Sequence, residues 1–155
     1  MSIPSIITAM SVRLEWVMHG STRYRLLVEL RRAILRKPLG LDFTEEELGR
    51  EAEQLHLGAF DGERAVGCLV LRLAGSGELV MRQVAVAADA QRRGIGKLLV
   101  AESERECVRR GCSKLSMHAR ETAVPFYERL GYRVEGEPFV EVGLPHREMA
   151  KLIRC

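Results

Sequence analysis

At 155 residues, with 46% apolar and 29% charged side chains, the chain has the size and composition of a single globular domain that buries a real core. Its 24 basic and 21 acidic residues leave a net charge of +3, too balanced for a dedicated nucleic-acid surface, and no stretch approaches the roughly 20 apolar residues of a membrane span. Cys68, Cys107, Cys112 and Cys155 show no Cys-x-x-Cys spacing and no paired histidines; with no metal pattern and no secretory signal, they read as reduced structural thiols of a cytoplasmic protein.

Residues 1–10 read as a loose leader. Val12, Leu14 and Trp16 alternate with Arg13, Glu15 and Val17, which predicts a first strand. Over 23–36 the apolar Leu26, Leu27, Leu30, Ala33 and Ile34 recur at helical spacing, an amphipathic helix with arginines on its wet face that ends at Pro38 and Gly40. Asp42 or Thr44 caps a short second helix, and the acids Glu45, Glu46 and Glu47 suit the positive end of its dipole. Leu55, Leu57 and Ala59 alternate, 60–63 turns the chain, and 65–73 returns as the second arm of a hairpin. Gly75, Ser76 and Gly77 turn it again into a strand over 78–86.

A helix over 96–110 stops at Gly111, a suitable residue just past a helix end. Then 114–119 reads as a strand, 122–130 as a helix closed by Gly131, and 132–135 as another strand. Pro138 and Pro145 bracket an irregular segment, and 147–153 forms the last strand. This order predicts an α/β chain, a mixed sheet with helices on its faces, without internal repeats.

The stretch 83–96 carries the chemistry. The apolar run Val84, Ala85, Val86 ends a strand, and Gln-Arg-Arg-Gly-Ile-Gly opens onto a helix beginning near Lys97. Gly94 and Gly96 let backbone N–H groups approach an anion closely, with the positive end of a helix dipole behind them. A Rossmann fingerprint would need glycine where Leu99 stands. A Walker loop would need glycine at Gln91 and a hydroxyl residue at Leu98. Neither nucleotide loop fits, and by itself the motif is also compatible with an ordinary strand-to-helix turn.

Gln91 to Gly96, directly after a strand, resembles the pyrophosphate-binding loop of the GNAT superfamily of N-acetyltransferases. A second motif supports the resemblance: Met-His-Ala-Arg-Glu-Thr-Ala-Val-Pro-Phe-Tyr-Glu-Arg-Leu-Gly-Tyr, from Met117 to Tyr132, is similar to the GNAT segment that covers the end of the cofactor. The ending around Phe139, His146 and Met149, and the helix around Leu30 leading to Glu51 and His56, resemble the small bacterial ElaA-like branch. Residues 37–41 depart from it.

The resemblance implies a single GNAT domain over 1–155, whose mixed central sheet has helices on both faces. It implies a V-shaped splay between the strand before the loop and the strand after its helix. It further implies an acetyl-CoA-dependent N-acetyltransferase acting on a small-molecule or peptide primary amine, in a family whose members often form homodimers. Gln91, Arg92, Arg93, Gly94, Ile95, Gly96 and Lys97 would then hold the pyrophosphate, while a backbone N–H among Val84, Ala85 and Val86 would polarise the thioester oxygen. No metal is implied.

Acetyl transfer also needs a proton for the departing thiolate and a neutral amine. Tyr127 is the candidate acid, because an ordinary phenol with a pKa of about 10 stays protonated at neutral pH and can meet a thiolate of pKa near 8.5. Its bland alternative is an aromatic core residue, the role expected of Phe126. His118 and His146 are the leading candidate bases, ahead of His56 and Glu78. Arg82 and Gln83 are possible acceptor contacts, placed on opposite faces by strand alternation. Two rivals remain: an acyl-CoA-binding sensor without turnover, and a nucleic-acid module using Arg92, Arg93, Arg109 and Arg110. The second lacks a stacking platform or a recognition helix.

Overall fold

The computed structural model describes residues 11–154; the expected leader over 1–10 and Cys155 lie outside the described residues. The element order matches the expectation, and the strands form a mixed seven-stranded sheet in the order β1-β2-β3-β4-β5-β7-β6. Two compact units divide the chain, one built from residues up to Leu71 with Gln83–Ala101, the other from Arg72–Arg82 with the residues from Glu102 onward.

The first unit contains β1 (Arg13–Val17), α1 (Thr22–Arg31), α2 (Glu45–Gly49), β2 (Leu55–Asp61) and most of β3 (Arg64–Leu73). It also holds the end of β4 (Glu78–Val86) and the start of α3 (Ile95–Arg109). The Ser21 hydroxyl starts α1 by accepting the Tyr24 N–H at 3.1 Å. Past Arg31 the helical path continues with a changed hydrogen-bond pattern, π-type over Arg32–Arg36 and 3-10 over Lys37–Leu39. Thr44, not Asp42, caps α2: Thr44 accepts the Glu47 N–H and Glu47 accepts the Thr44 N–H, a reciprocal capping box. The Asp42 carboxylate is taken by Arg32 at 2.5 Å.

Leu27, Phe60, Cys68 and Ala85 form a buried cluster, with Val17, Leu30 and Ile34 packed on it. Gly67 of β3 makes room for α3, since a Cβ there would stand 2.7 Å from Ile95 Cγ2 and 3.1 Å from Leu99 Cδ1. The wet-face reading of α1 is corrected at two positions. Leu26 is exposed, whereas Arg31 is 1% exposed, because Glu51 supplies a buried carboxylate that neutralises it.

In the second unit the start of β4 pairs in parallel with β5 (Lys114–Arg120), from Glu78↔Lys114 to Met81↔Met117. Strand β5 then pairs antiparallel with β7 (Leu144–Leu152), and β7 with the edge strand β6 (Arg133–Glu141). The short helix α4 (Val124–Arg129) precedes β6. Tyr132 and Lys151 both donate to Glu104 on α3, at 2.9 and 3.2 Å.

The segment between Pro138 and Pro145 is not irregular. Strand β6 continues through Pro138 to Glu141, Val142 and Gly143 make a tight turn with φ of 46° and 76°, and β7 begins at Leu144. A bulge between Glu135 and Phe139 lifts Pro138 out of the ladder, and an edge strand tolerates the missing donor.

Candidate active site

In the first unit the strand-to-helix connection is held by its own neighbours. The Ala87 N–H donates to the Val66 carbonyl at 2.9 Å, and a 3-10 turn, Ala88–Ala90, follows with Ala90 buried. Gln91 Nε2 donates back to the Val86 carbonyl at 3.2 Å. Arg64 clamps Asp89 at 2.5 Å, and Arg93 reaches Asp61 at 3.7 Å.

Arg92 and Gly94 have φ of 68° and 79°. The left-handed conformation costs about 1–2 kcal/mol at a residue with a Cβ such as Arg92. Alternating left-handed residues fold successive N–H groups toward one side, the geometry of an anion nest. Helix α3 begins at Ile95, and its first backbone bond runs from the Leu98 N–H to the Gly94 carbonyl at 3.0 Å. The N–H groups of Ile95, Gly96 and Lys97 therefore have no acceptor inside the helix. Ile95 is buried while Arg92 and Lys97 are exposed, so the loop is anchored on one side and charged on the other. No atom lies within 4 Å of where a Gly94 Cβ would be.

Upstream, Ala85 is buried in the core cluster, and Gln83 takes φ of 56°. Its carbonyl accepts the Cys68 thiol at 3.9 Å. A left-handed residue inside β4 interrupts the pleat, so alternation cannot be carried from Arg82 through Gln83 as the sequence suggests.

In the second unit Tyr127 of α4 is 5% exposed and meets Phe126 and Tyr132 edge-to-face, at centroid separations of 5.0 and 5.9 Å. Burial pushes its phenol well above the ordinary tyrosine value, which holds the proton on Oη throughout the neutral range.

His118 and His146 are brought together by a residue that the sequence reading does not single out. Glu141 accepts from His118 Nδ1 at 2.9 Å, and its other oxygen lies 3.8 Å from His146 Nε2. Phe139 packs against both rings. His146 is buried, and its Nδ1 donates to the Leu144 carbonyl at 2.8 Å. Because a carbonyl only accepts, the proton is on Nδ1, and Nε2 is the atom free to exchange one. Glu141 carries no motif and falls where the sequence suggests an irregular segment; only the Val-Gly turn after it signals a hairpin.

The weaker base candidates are engaged elsewhere. His56 is buried with Nε2 against the Glu51 carbonyl at 2.9 Å, and burial lowers its pKa. Glu78 accepts the Ser116 hydroxyl at the opening of β4. Among the described residues no group of His, Cys, Asp or Glu is arranged to hold a metal ion, and no helix is long and apolar enough to cross a membrane.

Residues 37–153 match the family model described as an acetyltransferase (GNAT) domain. The uncharacterized N-acetyltransferase YjcF of Bacillus subtilis is 34% identical over 111 residues, covering 70% of this chain and 78% of that protein. Solved structures of low sequence identity share the fold. Escherichia coli ElaA has a TM-score of 0.76 at 19% identity, over 90% of this chain and 99% of its own. The PaiA N-acetyltransferase of Thermoplasma acidophilum, solved in complex with coenzyme A, has a TM-score of 0.73 at 18% identity, over 92% and 99%. The chain belongs to the GNAT family and is an acetyltransferase enzyme.

Proposed function

We propose that the protein transfers an acetyl group from acetyl-CoA directly to a primary amine. The observation that carries this reading is the loop from Gln91 to Gly94, with its two left-handed residues, opening onto the first turn of the 15-residue α3. That donor set suits a pyrophosphate: several backbone N–H groups on a rigid frame, open space at Gly94, and exposed cations at Arg92 and Lys97. The complex of PaiA with coenzyme A supports the same ligand class here.

Acetyl-CoA supplies an acyl group activated as a thioester. In the proposed assignment Arg92, Gly94, Ile95, Gly96 and Lys97 bind the pyrophosphate with backbone N–H groups and rim charge. Gln91 and Arg93 brace the loop through Val86 and Asp61 while adding their own N–H groups. Val84, Ala85 and Val86 offer the backbone N–H that polarises the reacting carbonyl, which needs no side chain. Tyr127 Oη holds the proton that the departing sulfur takes. His146 Nε2, with His118 as the alternative, accepts the proton that the acceptor ammonium must lose, directly or through water.

Thiol release from acetyl-CoA, followed with a panel of polyamines, amino acids, aminoglycosides and lysine peptides, tests the reading. Amine-dependent release is expected with at least one class. A protein that binds acetyl-CoA and releases no thiol above buffer with any of them would overturn it.

A further inference from the structure

The C-terminal end of α3 brings two cysteines together. Gly111, with φ of 70°, donates its N–H to the Val108 carbonyl at 3.0 Å, and Cys112 donates to the Cys107 carbonyl at 2.9 Å. These two bonds make a Schellman closure, in which the second residue past the helix folds back beside the third residue from its end. That side-chain contact is usually apolar. Here it joins two thiols, which lie within hydrogen-bonding reach of each other. Cys107 is buried, with its thiol donating to the Lys114 carbonyl at 3.7 Å, whereas Cys112 is partly exposed. A disulfide needs adjacent Cα atoms, and the closure folds Cys112 back beside Cys107 on the last turn of the helix.

We propose that Cys107 and Cys112 form a dithiol–disulfide modification site that takes up oxidising equivalents from a low-molecular-weight disulfide. Cys112, the accessible sulfur, attacks as thiolate and forms a mixed disulfide, releasing one small thiol. Cys107, as thiolate, then attacks the Cys112 sulfur and displaces the second. Two protein thiols and one disulfide become one protein disulfide and two small thiols. Burial pushes the Cys107 thiol up to about 11, which lowers its thiolate fraction; its proximity to the target sulfur offsets this. The Lys114 carbonyl, at the start of β5, loses its thiol donor on oxidation. Cys68, fully buried with its thiol pushed up to about 12, stays reduced and serves as an internal control.

The test uses glutathione disulfide on the folded protein carrying Cys155→Ser, followed by alkylation of free thiols, trypsin digestion and mass spectrometry. Arg109 and Arg110 lie between the two cysteines, so trypsin separates them unless a disulfide joins their peptides. The expected result is a linked pair of peptides containing Cys107 and Cys112, with Cys68 alkylated, and loss of the link on adding dithiothreitol. The Cys107→Ser variant should stop at glutathionylated Cys112. Stable glutathionylation of Cys112 without the link in the Cys155→Ser protein, or no reaction at either cysteine, would overturn the proposal. The readout needs no acceptor and no acetyl-CoA, so it is independent of the proposed reaction.

Discussion

Arg31 and Glu51 face each other in the interior of the first unit, joined by two hydrogen bonds of 2.8 and 2.5 Å, with side chains only 1% and 5% exposed. The Tyr24 hydroxyl also donates to Glu51, at 2.9 Å. Burial raises the Glu51 pKa, but the Arg31 hydrogen bonds and charge, together with Tyr24, outweigh it and leave the carboxyl below its ordinary value. Removing one partner strands the other charge, so Glu51→Ala should destabilise the fold by about 3–5 kcal/mol in urea unfolding. The folded-state pKa is depressed, so the pair's contribution is fully present above the unfolded carboxylate value of about 4.3 and is lost as pH falls through the lower folded value. A Glu51→Ala protein as stable as wild type at pH 7 would remove the pair from the account.

Gly67 is a test of close packing. A methyl group there meets Ile95 Cγ2 at 2.7 Å, and Ile95 is the residue that anchors the candidate loop. Gly67→Ala should cost about 1–3 kcal/mol of stability by overpacking and weaken acetyl-CoA binding through displacement of α3. Calorimetric melting and ligand titration of the same preparation check both effects.

The legible part of this structure lies where local chemistry decides. The Gly111 and Gly131 stops and the turn at residues 75–77 follow from residue types alone, so the element order could be read directly, whereas the Ser21 cap and the choice of Thr44 over Asp42 show only in the structure. What could not be read depends on distant partners. Arg31 looks like a wet-face residue until Glu51, 20 residues away, supplies its counter-charge. Glu141 has no significance until a bulge carries β6 past Pro138 and the Val142–Gly143 turn sets it beside two histidines. Gln83 and Arg92 adopt left-handed backbone with no glycine to announce it. At the candidate site the loop glycines and Tyr127 carry a recognisable pattern, whereas the residues that orient His118 and His146 do not.

Tyr127→Phe removes one oxygen from a buried ring and leaves its packing on Phe126 and Tyr132 in place. With an acceptor in hand, kcat should fall roughly 100-fold, the lower end of a general-acid contribution, with acetyl-CoA affinity unchanged. Full kcat across the pH range would withdraw the acid role.

Both imidazoles are held at Nδ1, His146 by the Leu144 carbonyl and His118 by Glu141, but His146 is buried and His118 exposed, so His146 is the more firmly positioned base. His146→Ala should lower kcat/KM by roughly 100-fold and His118→Ala by less, with both changes read in steady-state kinetics on the same acceptor. The reverse order would transfer the role to His118.

The most direct test is calorimetric titration of acetyl-CoA into the wild-type protein and into a variant carrying both Gly94→Asp and Gly96→Asp, whose fold is verified by circular dichroism. Saturable binding is expected of the wild type, and its loss in the variant, where two carboxylates occupy the anion nest. A folded wild-type protein that does not bind acetyl-CoA, or a variant that binds it equally well, would contradict the assignment of this loop as the cofactor site.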